Sequence, residues 1–287
     1  MSQSLDLHGK TALVTGASSG IGRAMALVLA RDVGTLVLVA RRRDRLEALA
    51  GEIRAAHPSV SVVVREVDLT DRAATGAMLD GLASEGVAVD VLVNNAGFGD
   101  RGLLDERPWD KLEALLELNV VTATYLIRRL LPAMLERGAG GILNVGSIAG
   151  IVTRPGSAVY GASKSYLNAL TEALHSELDG TGVVVTGLLP GPVTTEFGEM
   201  AMKGDAAPVG RERGDHPDRA RRDPIQMPDA LTMTAEACAE LGVRALVRGD
   251  ARVVPGARVR AMATLLDNAP RPVVRRVLAG AAKKMRT

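Results

Sequence analysis

Aromatic side chains are the scarcest class in this chain: two phenylalanines, three tyrosines and one tryptophan among 287 residues. A core must then be built from aliphatic side chains, and each ring that does occur raises a question about its position. Cysteine occurs once, Cys238, which excludes an internal disulfide and fits a reducing compartment; in the helical stretch AEACAELG it reads as a small buried hydrophobe. The four histidines, His8, His57, His175 and His216, are scattered and share no metal-ligand spacing with Cys238, so no metal site is expected. Neither sign of charge is in excess. With 35 basic and 33 acidic residues the net charge is +2, which gives no global field to attract nucleic acid. No apolar run approaches the ~20 residues that span a bilayer. The N-terminal MSQSLDLHGKTALVTG lacks a basic segment followed by an apolar one, so no signal peptide is expected and the expected location is the cytoplasm.

What the chain does have is alternation. TALVTG (11–16), TLVLVA (35–40), SVVVREV (61–67), VDVLVNNAG (89–97), GILNVGS (141–147) and GVVVTGLLPG (182–191) are β-branched runs, apolar at successive positions. A strand that is apolar on both faces belongs to a sheet covered on both sides, as parallel sheets are. Between these runs, IGRAMALVLARD, RDRLEALAGEIRAA, DRAATGAMLDGLASEG, WDKLEALLELNVVTATYLIRRLLPAMLERG and ASKSYLNALTEALHSELDG repeat apolar residues at three- and four-residue spacing, as crossover helices do. The expected fold class is α/β: a doubly wound parallel sheet of about seven strands with helices on both faces, one domain over residues 1–257, with its ligand beyond the carboxyl ends of the strands. Residues 203–223 carry six basic and five acidic residues without an apolar period. They read as a solvated loop within a lid over 198–230. ARVVPG (251–256) supplies a last strand, and residues 258–287 form a tail.

The first strand runs into Thr15-Gly16-Ala17-Ser18-Ser19-Gly20-Ile21-Gly22 and then a helix. Glycines allow a tight turn and close backbone approach, and a helix N-terminus offers unpaired N–H groups and a positive dipole end to a pyrophosphate. The alternative is a turn that simply needs glycine. The spacing, with glycines at 16, 20 and 22, departs from the G-x-G-x-x-G dinucleotide pattern.

Taken in order, TGASSGIG, Asn94-Asn95-Ala96-Gly97 after the fourth strand, Asn119, Ser147 after the fifth, Tyr160-x-x-x-Lys164 and Pro190-Gly191-Pro-Val193-Thr-Thr195 after the sixth resemble the short-chain dehydrogenase/reductase family over roughly residues 5–256. The resemblance implies a Rossmann domain that uses a nicotinamide dinucleotide to reduce a carbonyl or oxidise an alcohol. It implies Tyr160 as proton donor or acceptor, Ser147 as binder of the substrate oxygen, Lys164 as the group that lowers the tyrosine pKa and holds the ribose, and Asn119 at a helix kink that holds a relay water. It further implies cofactor contacts from Gly16, Ser18, Ser19, Gly20, Ile21 and Gly22, from Asp68 and Leu69, from Asn94, Asn95, Ala96 and Gly97, and from Pro190, Gly191, Val193 and Thr195. The family commonly pairs its long helices, here roughly 110–135 and 157–178, so a homodimer or homotetramer is expected.

Elementary chemistry agrees with these roles. Hydride transfer to a ketone makes an alkoxide that must be protonated, and a general acid helps when its pKa nears the working pH. Lys164 lies one turn from Tyr160 on the same helix face, where an ammonium favours the phenolate. Tyr166, two residues past Lys164, points about 160° from it on ideal helix geometry and is expected in the core or at a subunit interface. Each residue alone has a plainer reading: a solvated Tyr/Lys face, Ser147 as a helix cap, Asn119 in a turn.

The second strand closes on Ala40-Arg41-Arg42-Arg43. A carboxylate here would bind the 2'-hydroxyl of NAD, whereas arginine accommodates the 2'-phosphate of NADP. NADP(H) is therefore the expected cofactor, with Arg41 ahead of Arg42, and reduction the expected direction. Asp68 has two open readings, a contact to adenine or a cap for the helix that begins at about residue 70. The only phenylalanines, Phe98 and Phe197, each follow a cofactor motif and either line the pocket or pack in the core. Ile151, in the apolar stretch after Ser147, is a further pocket candidate, so the expected substrate is a fairly apolar ketone or secondary alcohol. An NADP-linked dehydrogenase of a hydroxy acid or hydroxysteroid is the alternative within the enzyme class, and a non-catalytic NADP-sensing protein the alternative outside it. The tail from Arg258 holds eight basic residues and one acid, Asp267, with apolar pairs every fourth residue after Pro272, which suits the first position of a helix. This basic amphipathic helix is read as packing on its own domain or a sister subunit, in preference to an anionic membrane surface.

Overall fold

The computed structural model describes residues 4–152, 154–197 and 231–286. The expected lid over 198–230 lies outside the described residues. The strands are β1 (Thr11–Thr15), β2 (Thr35–Ala40), β3 (Ser61–Glu66), β4 (Val91–Asn94), β5 (Gly140–Val145), β6 (Val183–Leu188), β7 (Val193–Thr194), β8 (Met233–Thr234) and β9 (Arg252–Val253). The helices are α1 (Gly20–Leu29), α2 (Arg43–Ala56), α3 (Arg72–Ser84), α4 (Trp109–Leu116), α5 (Ala123–Arg137), α6 (Ala158–Glu177), α7 (Ala235–Arg248), α8 (Ala257–Asn268) and α9 (Arg271–Arg286).

Seven strands form one sheet in the order β3-β2-β1-β4-β5-β6-β9, and β7 pairs with β8 separately. Each pairing in the large sheet is parallel. The chain winds outward from β1 to β3 and restarts at β4 on the other side of β1. That reversal opens a crevice beyond the carboxyl ends of β1 and β4.

Strand side chains alternate in direction, which is why the runs must be apolar throughout. Ala12, Val14, Leu36, Leu38, Val91 and Val93 enter one core with residues of α1, α2 and α7. Their neighbours Leu13, Val37, Val39, Leu92 and Ile142 enter the other with residues of α3, α5 and α6. Leu13, Leu36 and Leu92 are fully buried, each worth roughly 1.5–3 kcal/mol relative to exposure. β3 departs from the expected double-sided burial: none of its six residues is buried, because it is the sheet edge. Cys238 sits in the first core, where burial pushes its thiol up to about 12, and it is chemically inert there.

The single helix expected over 109–138 is interrupted by a π turn, Glu117–Thr122, between α4 and α5. The tail forms two helices, α8 and α9, and α9 starts at Arg271, one residue before Pro272. Among the described residues no helix is long and apolar enough to cross a membrane.

Candidate active site

The loop from β1 to α1 is held by Thr15, whose part the sequence reading missed. Its hydroxyl donates to the Val93 carbonyl at 3.1 Å and accepts the N–H groups of Asn95 and Ala96, both at 2.9 Å. Asn95 returns the contact, its amide donating to the Thr15 carbonyl at 2.9 Å. A threonine closing β1 just before the glycines was the available signal. Gly16 has φ +65°, and a Cβ at Gly22 would collide with the Gly16 carbonyl and the Asn95 amide. The loop is thus folded tightly against the end of β4. Ser19 begins α1 with extended backbone and, among the described residues, without a side-chain cap bond, and the first turn of α1 contains no acid. Its N–H groups are left for an anion, which fits a pyrophosphate. Thr195, after β7, faces Gly20 across this opening. Pro190 is buried, its carbonyl accepting from the Ile148 N–H at 3.1 Å. Gly191 abuts Val259 of α8.

The arginines divide differently from the expected order. Arg42 reaches the glycine loop, donating to Ser18 Oγ at 3.1 and 3.2 Å and to Ser19 Oγ at 2.7 Å. It also meets Glu196 at 3.1 Å, and Glu196 accepts from Arg45 at 2.7 Å. Arg41 points outward and lies 3.8 Å from Asp68. Asp68 is not the helix cap: it folds a local turn, accepting from the Thr70 N–H at 3.0 Å and the Thr70 hydroxyl at 2.7 Å, while Asp71 caps α3 by accepting the Ala74 N–H at 2.9 Å. Leu69 is buried, and its carbonyl accepts from Thr122 Oγ1 at 2.6 Å. The amide of Asn94 faces inward, contrary to the adenosine-side reading. It donates to Asn144 Oδ1 at 3.0 Å and to the Ala123 carbonyl at 3.2 Å, because β4 turns that side chain into the protein.

Beyond the end of β5, the Ser147 hydroxyl is near enough to the Tyr160 hydroxyl to favour its ionised form. Ser147 Oγ also accepts from the Ala149 N–H at 3.1 Å, so it caps a short turn as well. Lys164, 5% exposed, donates to the Val145 carbonyl at 2.8 Å. The π turn carries Asn119, whose amide donates to the Phe98 carbonyl at 3.0 Å and to Ser163 Oγ at 3.1 Å. Its Oδ1 accepts the Phe98 N–H at 3.2 Å. Gly97 lies against both Asn119 and Lys164, so the segment after β4 meets the π turn and α6 at one point.

The electrostatics correct one expectation. Burial raises the Tyr160 pKa, while the Ser147 hydroxyl and the charges of Arg101 and Arg154 act in the opposite direction. Lys164 does not carry the expected depression. Its ammonium is turned to a backbone carbonyl, and burial lowers its own pKa to about 8. Tyr166 is not in the core either: it is 41% exposed, with its hydroxyl 3.0 Å from Thr124 Oγ1.

Phe197 stands beside Tyr160, ring centroids 5.9 Å apart. Phe98 and Ile151 are half-buried. A buried charge cluster, absent from the sequence reading, lies by the cleft against Tyr160. Asp100 pairs with Arg107 at 2.6 and 2.9 Å, and Lys111 Nζ lies 2.8 Å from Asp100 Oδ1, off hydrogen-bond geometry. The signal was Lys111, one turn before the buried Leu115 on the same helix face. Among the described residues no cluster of acids, histidines and cysteine could hold a metal ion.

A family model for short chain dehydrogenase matches residues 10–205. The chain belongs to that family, and it is an oxidoreductase with a Rossmann fold. The NADP-dependent 3-hydroxy acid dehydrogenase of Schizosaccharomyces pombe is 37% identical over 202 residues, 69% of this chain and 77% of that protein. A short-chain dehydrogenase from Sphingobium yanoikuyae in complex with NADPH is similar in structure, with TM-score 0.74 and 29% identity, covering 93% of this chain and 95% of that one. A short-chain dehydrogenase/reductase from Burkholderia phymatum in complex with NAD has TM-score 0.76 and 27% identity, covering 91% and 94%.

Proposed function

We propose that the protein reduces the carbonyl of a fairly apolar ketone to a secondary alcohol at the expense of NADPH. The observation that carries this reading is the Ser147 hydroxyl beside the Tyr160 hydroxyl, with Lys164 buried one helical turn along. When bound, the nicotinamide supplies the hydride. The uncapped start of α1, the loop from Gly16 to Gly22 and the Arg42 guanidinium beside Ser18 and Ser19 would hold its dinucleotide. The absence of a carboxylate at the end of β2 favours the 2'-phosphate form. Ser147 Oγ holds the substrate oxygen, and Tyr160 Oη gives it a proton as negative charge develops. Because burial raises its pKa, Tyr160 stays protonated at neutral pH, the state a reduction requires. Lys164 and Asn119 keep fixed positions around it through Val145, Phe98 and Ser163.

Tyr160→Phe removes the proton and leaves the ring. NADPH oxidation with ketones should fall at least a thousandfold while NADPH binding, read by its fluorescence, persists. Tyr166→Phe should retain most activity. The reverse ranking would overturn the assignment. The name of the S. pombe relative favours a second reading, oxidation of a hydroxy acid, with the same proton passing to Tyr160. NADP reduction with 3-hydroxy acids far faster than ketone reduction would select it. Turnover of neither class would leave the non-catalytic sensor.

A further inference from the structure

We propose that Glu196 stands in for the 2'-phosphate of NADPH on Arg42 and Arg45, giving up both guanidiniums when NADPH binds and keeping them when NADH binds, so that this one carboxylate limits the preference between the two cofactors. The inference rests on the NADP reading above.

Arg42 is the residue before α2, and Arg45 lies in its first turn. The glycine loop fixes Arg42 from one side: Nε and Nη2 donate to Ser18 Oγ at 3.2 and 3.1 Å, and Nη2 donates to Ser19 Oγ at 2.7 Å. Its Nη1 is turned to Glu196 Oε2 at 3.1 Å, and Arg45 Nη1 meets both carboxylate oxygens, at 2.7 and 2.9 Å. A helix N-terminus is the positive end of the dipole, so cations are disfavoured there and an anion is favoured. Arg42, Arg43 and Arg45 nevertheless stand together at the start of α2, with Asp44 the one acid among them. The anion that Arg42 and Arg45 share comes from 151 residues beyond Arg45.

Charge decides which anion holds the pair. A carboxylate brings one negative charge and two oxygens to the two guanidiniums, whereas a phosphate monoester brings about −1.5 to −2 charges and three oxygens at neutral pH. Both make charge-assisted, paired hydrogen bonds to arginine. Glu196 is the weaker of the two anions, and with its side chain 45% exposed it can turn into water. NADH carries a hydroxyl at that position and brings no charge to replace the carboxylate.

Glu196 is held in place by the sheet before it. β7 pairs with β8 through Val193–Met233 and Thr194–Thr234, and the Pro192 carbonyl accepts the Met233 N–H at 3.1 Å. Val193 and Met233 pack on the first core. Three consecutive side chains then meet three parts of the site: Thr195 packs on Gly20, Glu196 holds the arginines, and the Phe197 ring stands 5.9 Å from that of Tyr160.

The test is fluorescence titration of the full-length protein with NADPH and with NADH, in wild type, Glu196→Gln and Glu47→Gln. Glu196→Gln keeps the shape and removes the competing charge, so NADPH should bind about fivefold tighter, the upper worth of an exposed ion pair, while NADH affinity changes less than about twofold. Glu47, on α2 and paired with Arg43 at 3.5 Å, is the control for charge in the neighbourhood. Its variant should leave both affinities within about twofold of wild type. No gain for NADPH in Glu196→Gln, or an equal gain in Glu47→Gln, overturns the proposal alone where wild type binds NADPH more tightly than NADH. Weakened NADH binding in Glu196→Gln overturns it too, because the carboxylate then serves the ribose hydroxyl. Wild type that binds NADH as tightly as NADPH, with no gain in Glu196→Gln, overturns both the proposal and the NADP reading.

Discussion

Lys164 gives the sharpest quantitative test of how this site is built. The side chain is 5% exposed, and burial lowers its pKa from the ordinary 10.5 to about 8. A single carbonyl contact at 2.8 Å replaces a full hydration shell poorly. Between those two pKa values the unfolded chain holds a proton that the folded chain has released. Unfolding free energy must then rise with pH in this window, by at most about 1.4 kcal/mol per pH unit, and the contribution is lost again as pH falls toward 8. Integrated from pH 8 to pH 10, a shift of this size amounts to about 2 kcal/mol. Urea unfolding of wild type and Lys164→Met without cofactor, at pH 7, 8, 9 and 10, isolates the effect from other titrating groups. The wild-type value minus the variant value should climb by about 2 kcal/mol from pH 8 to pH 10 and change little between pH 7 and pH 8. A difference that stays flat or falls across pH 8 to 10 would refute the claim that burial governs this lysine.

Two further outcomes follow from the described geometry. Asp100→Asn leaves Arg107 and the 3% exposed Lys111 without their carboxylate and should cost about 3–5 kcal/mol in urea unfolding. Adding Lys111→Met should recover part of that, and a single-variant loss under about 1 kcal/mol would contradict the pairing. Arg42→Ala should weaken NADPH binding at least tenfold more than NADH binding, with Arg41→Ala the smaller effect; equal losses for both cofactors would remove the 2'-phosphate role from Arg42.

The sheet was legible because parallel strands sandwiched by helices must be apolar at every position, as Leu36 to Val39 illustrate. The ends of the strands were legible as motifs, but the direction of each side chain was not. Arg41 and Arg42 are neighbours in sequence, and the turn out of β2 sends one toward Asp68 and the other to the glycine loop. Asn94 likewise belongs to a recognisable motif, while strand alternation turns its amide inward. The pKa logic failed for a similar reason. Helical spacing placed Lys164 near Tyr160 but could not say that burial would raise the Tyr160 pKa and that the Lys164 ammonium would face Val145. For the tail, periodicity predicted an amphipathic helix, yet only three-dimensional packing sets Met285 on Gly156.

The π turn at Glu117–Thr122 has a consequence for how this chain can vary in length. A π turn is what one extra residue makes of an α-helix, and each helical residue advances the azimuth by about 100°. Deleting a single residue there would not merely shorten a segment. It would let the rod close into a regular α-helix, with Lys111, Leu112 and Leu115 still facing the interior they fill and Asn119 losing the widened turn that carries it. The extra residue is absorbed within the turn, so α4 and α5 stay in phase across it, and what a one-residue deletion there removes is the widened turn that holds Asn119.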